Sequence, residues 1–241
     1  MCSSDLIEGT TTPIAFVYDV LFPFARRHLR EYLNHADGVR VRETIGHLRE
    51  ERAADRVRGD EPPPWTDEAD AELSSAAAYA EWLMDRDSKS TGLKRLQGHI
   101  WERGYESGEL KGDIFPDVRP AIEKWRAARI DVAIYSSGSV LAQRLLFAHT
   151  RDGDLTPCFS AFFDTEIGAK TSPDSYRRIA AALGSSPGRL LFVSDMAKEL
   201  DAAHAAGCRV VLCSRPGNAP QPPTVAVDVI NSLEELNELG R

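Results

Sequence analysis

The second half of the chain alternates short apolar runs with helical stretches, and this alternation constrains the fold more than any other feature. The apolar runs, each followed by polar turn residues, are Ile130–Tyr135, Leu190–Val193 and Arg209–Cys213. Such runs are typical of strands that are buried on both faces of a parallel sheet. The helical stretches that accompany them are Val140–His149, Ser175–Leu183 and Ala197–Ala206. Strands that alternate with helices predict an α/β fold with a doubly wound parallel sheet.

The first half of the chain predicts an all-helical segment. Residues 16–110 are rich in Arg, Glu and Ala, and their apolar residues recur at helical steps. Pro23 is expected to start or kink the first helix. The later helices are expected at Arg40–Ala54, Glu68–Asp85 and Gly92–Arg103. We therefore expect an α/β core made of residues 1–15 and 111–241, with the helical segment inserted into it.

Charge and cysteine content limit the classes of partner. A formal net charge of -8 disfavours binding to nucleic acid or to an anionic membrane. No apolar run is long enough to span a bilayer, and no signal peptide is recognisable. The cysteines, which lack paired spacing and are expected to be free thiols, are Cys2, Cys158, Cys208 and Cys213. These features predict a cytoplasmic protein and do not exclude a small anionic substrate.

Polar residues follow the predicted strands at the sheet edge where ligands of such folds bind. Ser136, Ser137 and Gly138 lie between a strand and a helix, where hydroxyl and N–H groups can bind an anion. A serine N-cap is the alternative. Asp195 ends the second strand and offers a hard oxygen ligand for Mg²⁺, and Lys170 lies in a glycine-containing loop, although a single lysine is most often a solvated charge. Together these groups predict a site for phosphoryl transfer.

Several motifs resemble those of the enolase-phosphatases, a family of the haloacid-dehalogenase (HAD) superfamily. HAD phosphatases have a strand ending in Asp-x-Asp-x-Thr, and the enolase-phosphatases carry Glu in place of its second Asp, as at Glu8. The matching segments are Ile7–Thr11, Asp19–Pro23, Gly112–Val118, Ile134–Ser139, Leu145–Phe147, Ile167–Lys170, Ser194–Asp195 and Glu199–Ala203. The resemblance covers the chain from Ile7 onward. Glu8 and Gly112–Val118 match the family, whereas the Ser, Lys and Asp match the whole superfamily.

The resemblance implies a HAD-like fold with a Rossmann-like core and a helical cap that closes over the site. It implies that one Mg²⁺ is held by a nucleophilic Asp, by Glu8 and by Asp195, with Glu199 and Asp201 as supporting carboxylates. The nucleophilic Asp would form an aspartyl-phosphate, and the Glu8 carboxylate would transfer protons.

The resemblance also implies how the substrate is bound and what it is. Ser136, with the backbone N–H groups of Ser137 and Gly138, would bind the phosphoryl oxygens, and Lys170 would neutralise charge. The substrate would be 2,3-diketo-5-methylthiopentyl-1-phosphate, which is enolised and dephosphorylated to an acireductone in methionine salvage. A monomer is expected.

The N-terminus departs from the family pattern. The nucleophilic Asp belongs two positions before Glu8, where this chain has Leu6. Asp5 is one residue out of register and would point to the opposite face of a strand. The apolar strand that should precede the motif is also missing from the sequence. We expect that residues 1–6 replace a native strand ending in Asp, and that the chain as given is inactive and poorly soluble.

Other functions remain open. A generic HAD phosphatase would carry Asp at the position of Glu8, and a dehalogenase would not need the carboxylate of Asp195. A third alternative is a non-catalytic protein that binds phosphate esters, and Leu6 is the residue that favours it.

Overall fold

The computed structural model describes residues 8–35, 38–88, 90–219 and 227–237, which belong to two compact units. The core unit comprises the chain up to Tyr18 and from Leu110 onward, and the helical unit comprises Asp19–Glu109. The helical segment predicted from the sequence comprises residues 16–110. The strand expected before Glu8 lies outside the described residues.

The helical unit is built from four long helices, which follow in sequence a short helix that belongs to the core unit. In chain order the helices are α1 (Ile14–Phe16), α2 (Phe22–His35), α3 (Gly38–Arg58), α4 (Ala69–Asp85) and α5 (Thr91–Ser107). Leu29, Leu48, Leu83 and Leu96 are almost completely buried, one from each long helix. The three helices predicted from periodicity are confirmed, and their apolar faces form the core of this unit.

Pro23 lies at the second position of α2, directly after a π-helical turn formed by Val17–Leu21. In a regular α-helix the proline ring would clash with the carbonyl group four residues earlier. A π-helical turn widens the backbone at that place and so accommodates the ring. The prediction that Pro23 starts or kinks a helix is therefore confirmed.

The core unit alternates parallel strands with helices. Its strands are β1 (Ala133–Tyr135), β2 (Ala161–Phe163), β3 (Leu191–Ser194), β4 (Arg209–Cys213) and β5 (Asp228–Ile230). Its helices after α1 are α6 (Val118–Ala127), α7 (Val140–Ala148), α8 (Pro173–Ala182) and α9 (Ala197–Ala205). β1 pairs with β2, while β3, β4 and β5 pair in that order, and all of these pairings are parallel. The predicted α/β fold with parallel strands is confirmed.

The core of this unit lies between β1, β3 and the helices α8 and α9. All four residues of β3 are buried. The Tyr176 ring packs edge-on against Phe192, with centroids 4.7 Å apart, and Leu200 of α9 lies in the same cluster. This packing fixes the carboxyl ends of β1 and β3, where the polar residues of interest begin.

Two further predictions concern the described residues. Cys158, Cys208 and Cys213 are free thiols, as expected, while Cys2 lies outside the described part. Among the described helices, none is both long and apolar enough to cross a membrane.

Gly112 is expected to tolerate no side chain. A Cβ at this position would overlap the backbone carbonyl oxygen of Leu146, and backbone atoms cannot move aside as a side chain can. We expect Gly112→Ala to lower the free energy of unfolding by about 1–3 kcal/mol. Gly46→Ala, in the interior of α3 with open space around it, is the control and should stabilise by about 0.5–1 kcal/mol. Urea unfolding followed by circular dichroism measures both, and equal effects would contradict this steric argument.

Candidate active site

Asp195 is a buried carboxylate at the carboxyl end of β3. Its side chain is buried, and burial together with the nearby Glu199 carboxylate raises its pKa to about 6, while Lys170 opposes the shift. Gly9 lies directly against it with φ +74°, and a Cβ on Gly9 would overlap the Asp195 carboxylate. Glycine is therefore required here both by its backbone conformation and by the close approach. The turn that begins at Glu8 is held beside Asp195.

Lys170 forms a buried ion pair with Glu199. Its Nζ atom lies 2.8 Å from Glu199 Oε2, and the two side chains are only 4% and 11% exposed. Ser194, the last residue of β3, donates its hydroxyl to the same Oε2 at 2.9 Å. Burial lowers the pKa of Lys170, while the carboxylates of Glu199 and Asp195 raise it. The burial excludes the alternative that Lys170 is a solvated surface charge.

The loop that carries Lys170 is held through its backbone by three hydroxyl groups. The hydroxyls of Tyr135, Ser175 and Tyr176 donate to the carbonyl oxygens of Gly168, Ala169 and Lys170, at 2.8, 2.7 and 2.6 Å respectively. Tyr135 belongs to β1 and the other two donors belong to α8. Three successive carbonyls are thus fixed by two different elements, which sets the direction of the Lys170 side chain.

Ser136 begins a loop between β1 and α7. It is 2% exposed, and its N–H donates to the Phe163 carbonyl at 3.1 Å. The N-cap of α7 is Ser139, whose hydroxyl accepts from the Ala142 N–H at 3.2 Å. The cap predicted as an alternative role for the serines is therefore taken by Ser139. This leaves the Ser136 hydroxyl for another role.

The Gly138 N–H is bonded within this loop. It donates to Ser136 Oγ at 3.1 Å, while the amide of Gln143 donates to the Gly138 carbonyl at 2.8 Å. An incoming phosphoryl group that uses both Ser136 and the Gly138 N–H must open the first of these bonds. Ser137 lies between them and is half-buried.

Two sets of contacts bring the site residues predicted from the sequence close to one another. The Gly9 backbone and the Lys170–Glu199 pair both interact with Asp195. The Lys170 ammonium also lies 5.8 Å from the ring centroid of Tyr135, the residue before Ser136. Asp201 follows Glu199 by two positions on α9, and residues at this spacing do not share a helix face.

The donor set suits Mg²⁺. Asp195 and Glu8 supply hard oxygen atoms, and a buried carboxylate with a raised pKa is one whose charge a divalent cation would stabilise. Within residues 8–35, 38–88, 90–219 and 227–237, no three His, Cys, Asp or Glu residues form a metal-binding group. The third expected protein ligand belongs at position 6, which is outside those ranges. The residues present fit an ion that completes its coordination with water and substrate.

The parallel sheet, the carboxylate at the end of β3, the buried lysine and the hydroxyl loop after β1 define a hydrolase of the HAD type. A family model described as "haloacid dehalogenase-like hydrolase" matches residues 8–207. The chain is 47% identical over 234 residues to enolase-phosphatase E1 of Synechococcus elongatus, covering 97% of this chain and 94% of the relative. The chain therefore belongs to the enolase-phosphatase E1 family of haloacid dehalogenase-like hydrolases.

Two other relatives extend the comparison. A Populus trichocarpa protein named as a probable bifunctional methylthioribulose-1-phosphate dehydratase/enolase-phosphatase E1 is 46% identical over 95% of this chain, which spans 46% of that protein. The crystal structure of the UTR4 protein of Saccharomyces cerevisiae has a TM-score of 0.74 at 32% identity and 96% coverage of both chains. The second of these extends the similarity from sequence to structure.

Proposed function

We propose that this protein is an acireductone synthase of methionine salvage. Its substrate is 2,3-diketo-5-methylthiopentyl-1-phosphate, which it enolises and then dephosphorylates. The observation that supports this best is the turn at Glu8 and Gly9 packed against Asp195, because Glu at this position distinguishes the enolase-phosphatases from other HAD phosphatases. The name of the Populus relative, which joins the enolase-phosphatase to a methylthioribulose-1-phosphate dehydratase, supports the same pathway.

The phosphoryl group is bound at the end of β1 and by Lys170. The Ser136 hydroxyl and the N–H groups of Ser137 and Gly138 donate to its oxygens. The Lys170 ammonium, fixed by Glu199 at 2.8 Å, neutralises the charge that develops on it. Because Lys170 is desolvated, its charge acts with little screening by water.

Glu8 and Asp195 complete the site. One Mg²⁺ per chain, held by Asp195 and by Glu8 through its backbone carbonyl, would supply Lewis-acid stabilisation of the phosphate oxygens. The Glu8 carboxylate is then available to transfer a proton to the leaving oxygen and to accept one from the attacking water. We further propose that the protein acts as a monomer in the cytoplasm, which sedimentation analysis of the purified protein would test for the oligomeric state.

Turnover requires a nucleophile at position 6. An Asp there attacks phosphorus and forms an aspartyl-phosphate, which water then hydrolyses. Leu6 has no atom that can do this, so the chain as given binds substrate without releasing phosphate. This makes a phosphate-ester-binding protein the second candidate function.

The test uses a restored chain, in which residues 1–6 are replaced by an apolar strand segment ending in Asp, so that Asp stands directly before Ile7. With the diketo phosphate and Mg²⁺, we expect equal amounts of acireductone, followed by its ultraviolet absorbance, and free phosphate. EDTA should abolish both. If the restored chain hydrolyses p-nitrophenyl phosphate equally well and leaves the diketo phosphate untouched, it is a generic HAD phosphatase instead.

A further inference from the structure

The loop Gly9–Thr12, which directly follows Glu8, is held through its backbone. Its four carbonyl oxygens accept, in chain order, from Asn218 Nδ2 (2.9 Å), Arg215 Nε (3.0 Å), the Phe115 N–H (2.8 Å) and the Gly9 N–H (2.9 Å). The side chains of Thr10, Thr11 and Thr12 are fully buried, yet in the described part of the chain their hydroxyls make no hydrogen bond. The direction of the loop therefore depends on the groups that bind its carbonyls.

Arg215 is the charged member of this set. Its side chain is 4% exposed and donates to three segments of the core unit. Besides the Thr10 carbonyl, it donates to the Asn231 carbonyl at 2.8 Å and to Asp117 Oδ2 at 2.7 Å. Its guanidinium lies 4.5 Å from the ring centroid of Phe115. A planar group with donors in fixed directions can hold three acceptors only when each is correctly placed.

Asp117 orients Arg215. The same Oδ2 atom also accepts from the Leu233 N–H at 2.7 Å and from the Ser232 hydroxyl at 3.0 Å. Burial raises the pKa of Asp117, but the hydrogen bonds from Arg215, Leu233 and Ser232 outweigh it and hold the pKa below its usual value. Asp117 therefore remains a charged acceptor in one orientation. Asp117 belongs to the segment Gly112–Val118, which matches the family specifically. None of the residues of this segment has a role in the catalytic steps proposed above.

We propose that Arg215, oriented by Asp117, is a positioning residue that keeps the Glu8 carboxylate in the position required for proton transfer. This proposal rests on the proposed function, because it assigns Glu8 the proton-transfer role. Arg215 acts through the Thr10 carbonyl and the loop, so it influences the catalytic steps without contacting the phosphoryl group. Its loss should therefore lower kcat and leave substrate binding by Ser136 and Lys170 intact.

The kinetic test compares Arg215→Gln, Arg215→Lys and Asp117→Asn in the restored chain. Because small misplacements of a catalytic group cost up to two orders of magnitude, we expect Arg215→Gln to lower kcat by about 10- to 100-fold. KM should change by less than about twofold, because the groups that bind the substrate before the reaction are unchanged in this variant. Arg215→Lys keeps the charge beside Asp117 but cannot also donate to Thr10, so it should recover the melting temperature and not kcat. Full recovery of kcat by lysine, or a raised KM with unchanged kcat, would overturn the proposal.

A double-mutant cycle tests whether Asp117 acts through Arg215. If it does, the kcat of the Asp117→Asn/Arg215→Gln chain equals that of Arg215→Gln alone. Additive losses would mean that Asp117 acts independently. The matched control is Arg209→Gln, which changes an exposed arginine at the other end of β4 and should leave kcat unchanged.

Amide hydrogen exchange tests the positioning without turnover. In the restored chain, Arg215→Gln should speed exchange in a peptide covering residues 8–16 and leave a peptide covering residues 136–150 unchanged. Faster exchange throughout the chain, or an unchanged exchange rate in residues 8–16, would show that Arg215 has no specific effect on the loop. If the restored chain itself fails to release phosphate, the proposed function fails, while this measurement still decides whether Arg215 fixes the loop.

Discussion

The restored chain is expected to release phosphate from the diketo phosphate about 10⁴-fold faster than the chain as given, or more. Leu6 cannot form a covalent bond to phosphorus, and the remaining groups can only bind and polarise the substrate. The measurement is a malachite-green phosphate assay at saturating Mg²⁺ with equal concentrations of the two chains.

The control for this experiment separates the effect of the nucleophile from that of the strand. A third chain carries the same replacement segment ending in Asn instead of Asp. It should be as soluble as the restored chain and as inactive as the chain as given. Equal turnover by the restored chain and the chain as given would show that the nucleophile lies elsewhere. A restored chain that is soluble and binds the substrate without turnover would favour the phosphate-ester-binding function.

Lys170→Met in the restored chain is expected to lower kcat/KM by about 10³-fold, in the range seen when a preorganised electrostatic group is removed from a transition state. Lys170→Arg should not restore activity, because the planar guanidinium differs in shape from the ammonium that pairs with Glu199. Steady-state kinetics with the diketo phosphate measures all three chains. The matched control is Lys198→Met, an exposed lysine on α9, which should retain full activity.

Loss of Lys170 also leaves Glu199 buried without its cation, which by analogy with other buried ion pairs costs about 3–5 kcal/mol of stability. The double variant Lys170→Met/Glu199→Gln removes both charges and should recover much of the melting temperature. It should not recover activity. Recovered activity in this double variant, or a loss of less than tenfold in Lys170→Met, would exclude the role proposed for Lys170.

β1, β3 and β4 coincide with apolar runs and could be predicted from the sequence, whereas β2 and β5 could not. β3 is an apolar run because both of its faces are covered. β2 is a half-buried strand of three residues, and two of the three residues of β5 are exposed. Segments of three residues are too short for an apolar pattern to distinguish them from loops, and their pairing with neighbouring strands defines them.

Some residues of the candidate site could likewise be predicted from the sequence, and others could not. Asp195 and Ser136 could be located because each directly follows a predicted strand. Arg215 lies just beyond the end of β4, so the same rule would have pointed to it, but an arginine in a sequence most often indicates a solvated charge. Its burial depends on Asp117 and on the Thr10 carbonyl, which are far from it in the chain. Hydrogen bonds between residues so far apart in the chain form only in the folded protein, so the sequence pattern does not indicate them.

The hydroxyl contacts to the Lys170 loop have a consequence for protein engineering. Because Tyr135, Ser175 and Tyr176 bind main-chain oxygen atoms, the shape of this loop is independent of the side chain at Ala169, which is exposed. Position 169 can therefore be randomised in a library without displacing the lysine. Gly168 cannot, because its φ is +141° and a Cβ there would overlap the Ser175 hydroxyl. Two adjacent positions in one loop thus differ completely in their freedom to mutate.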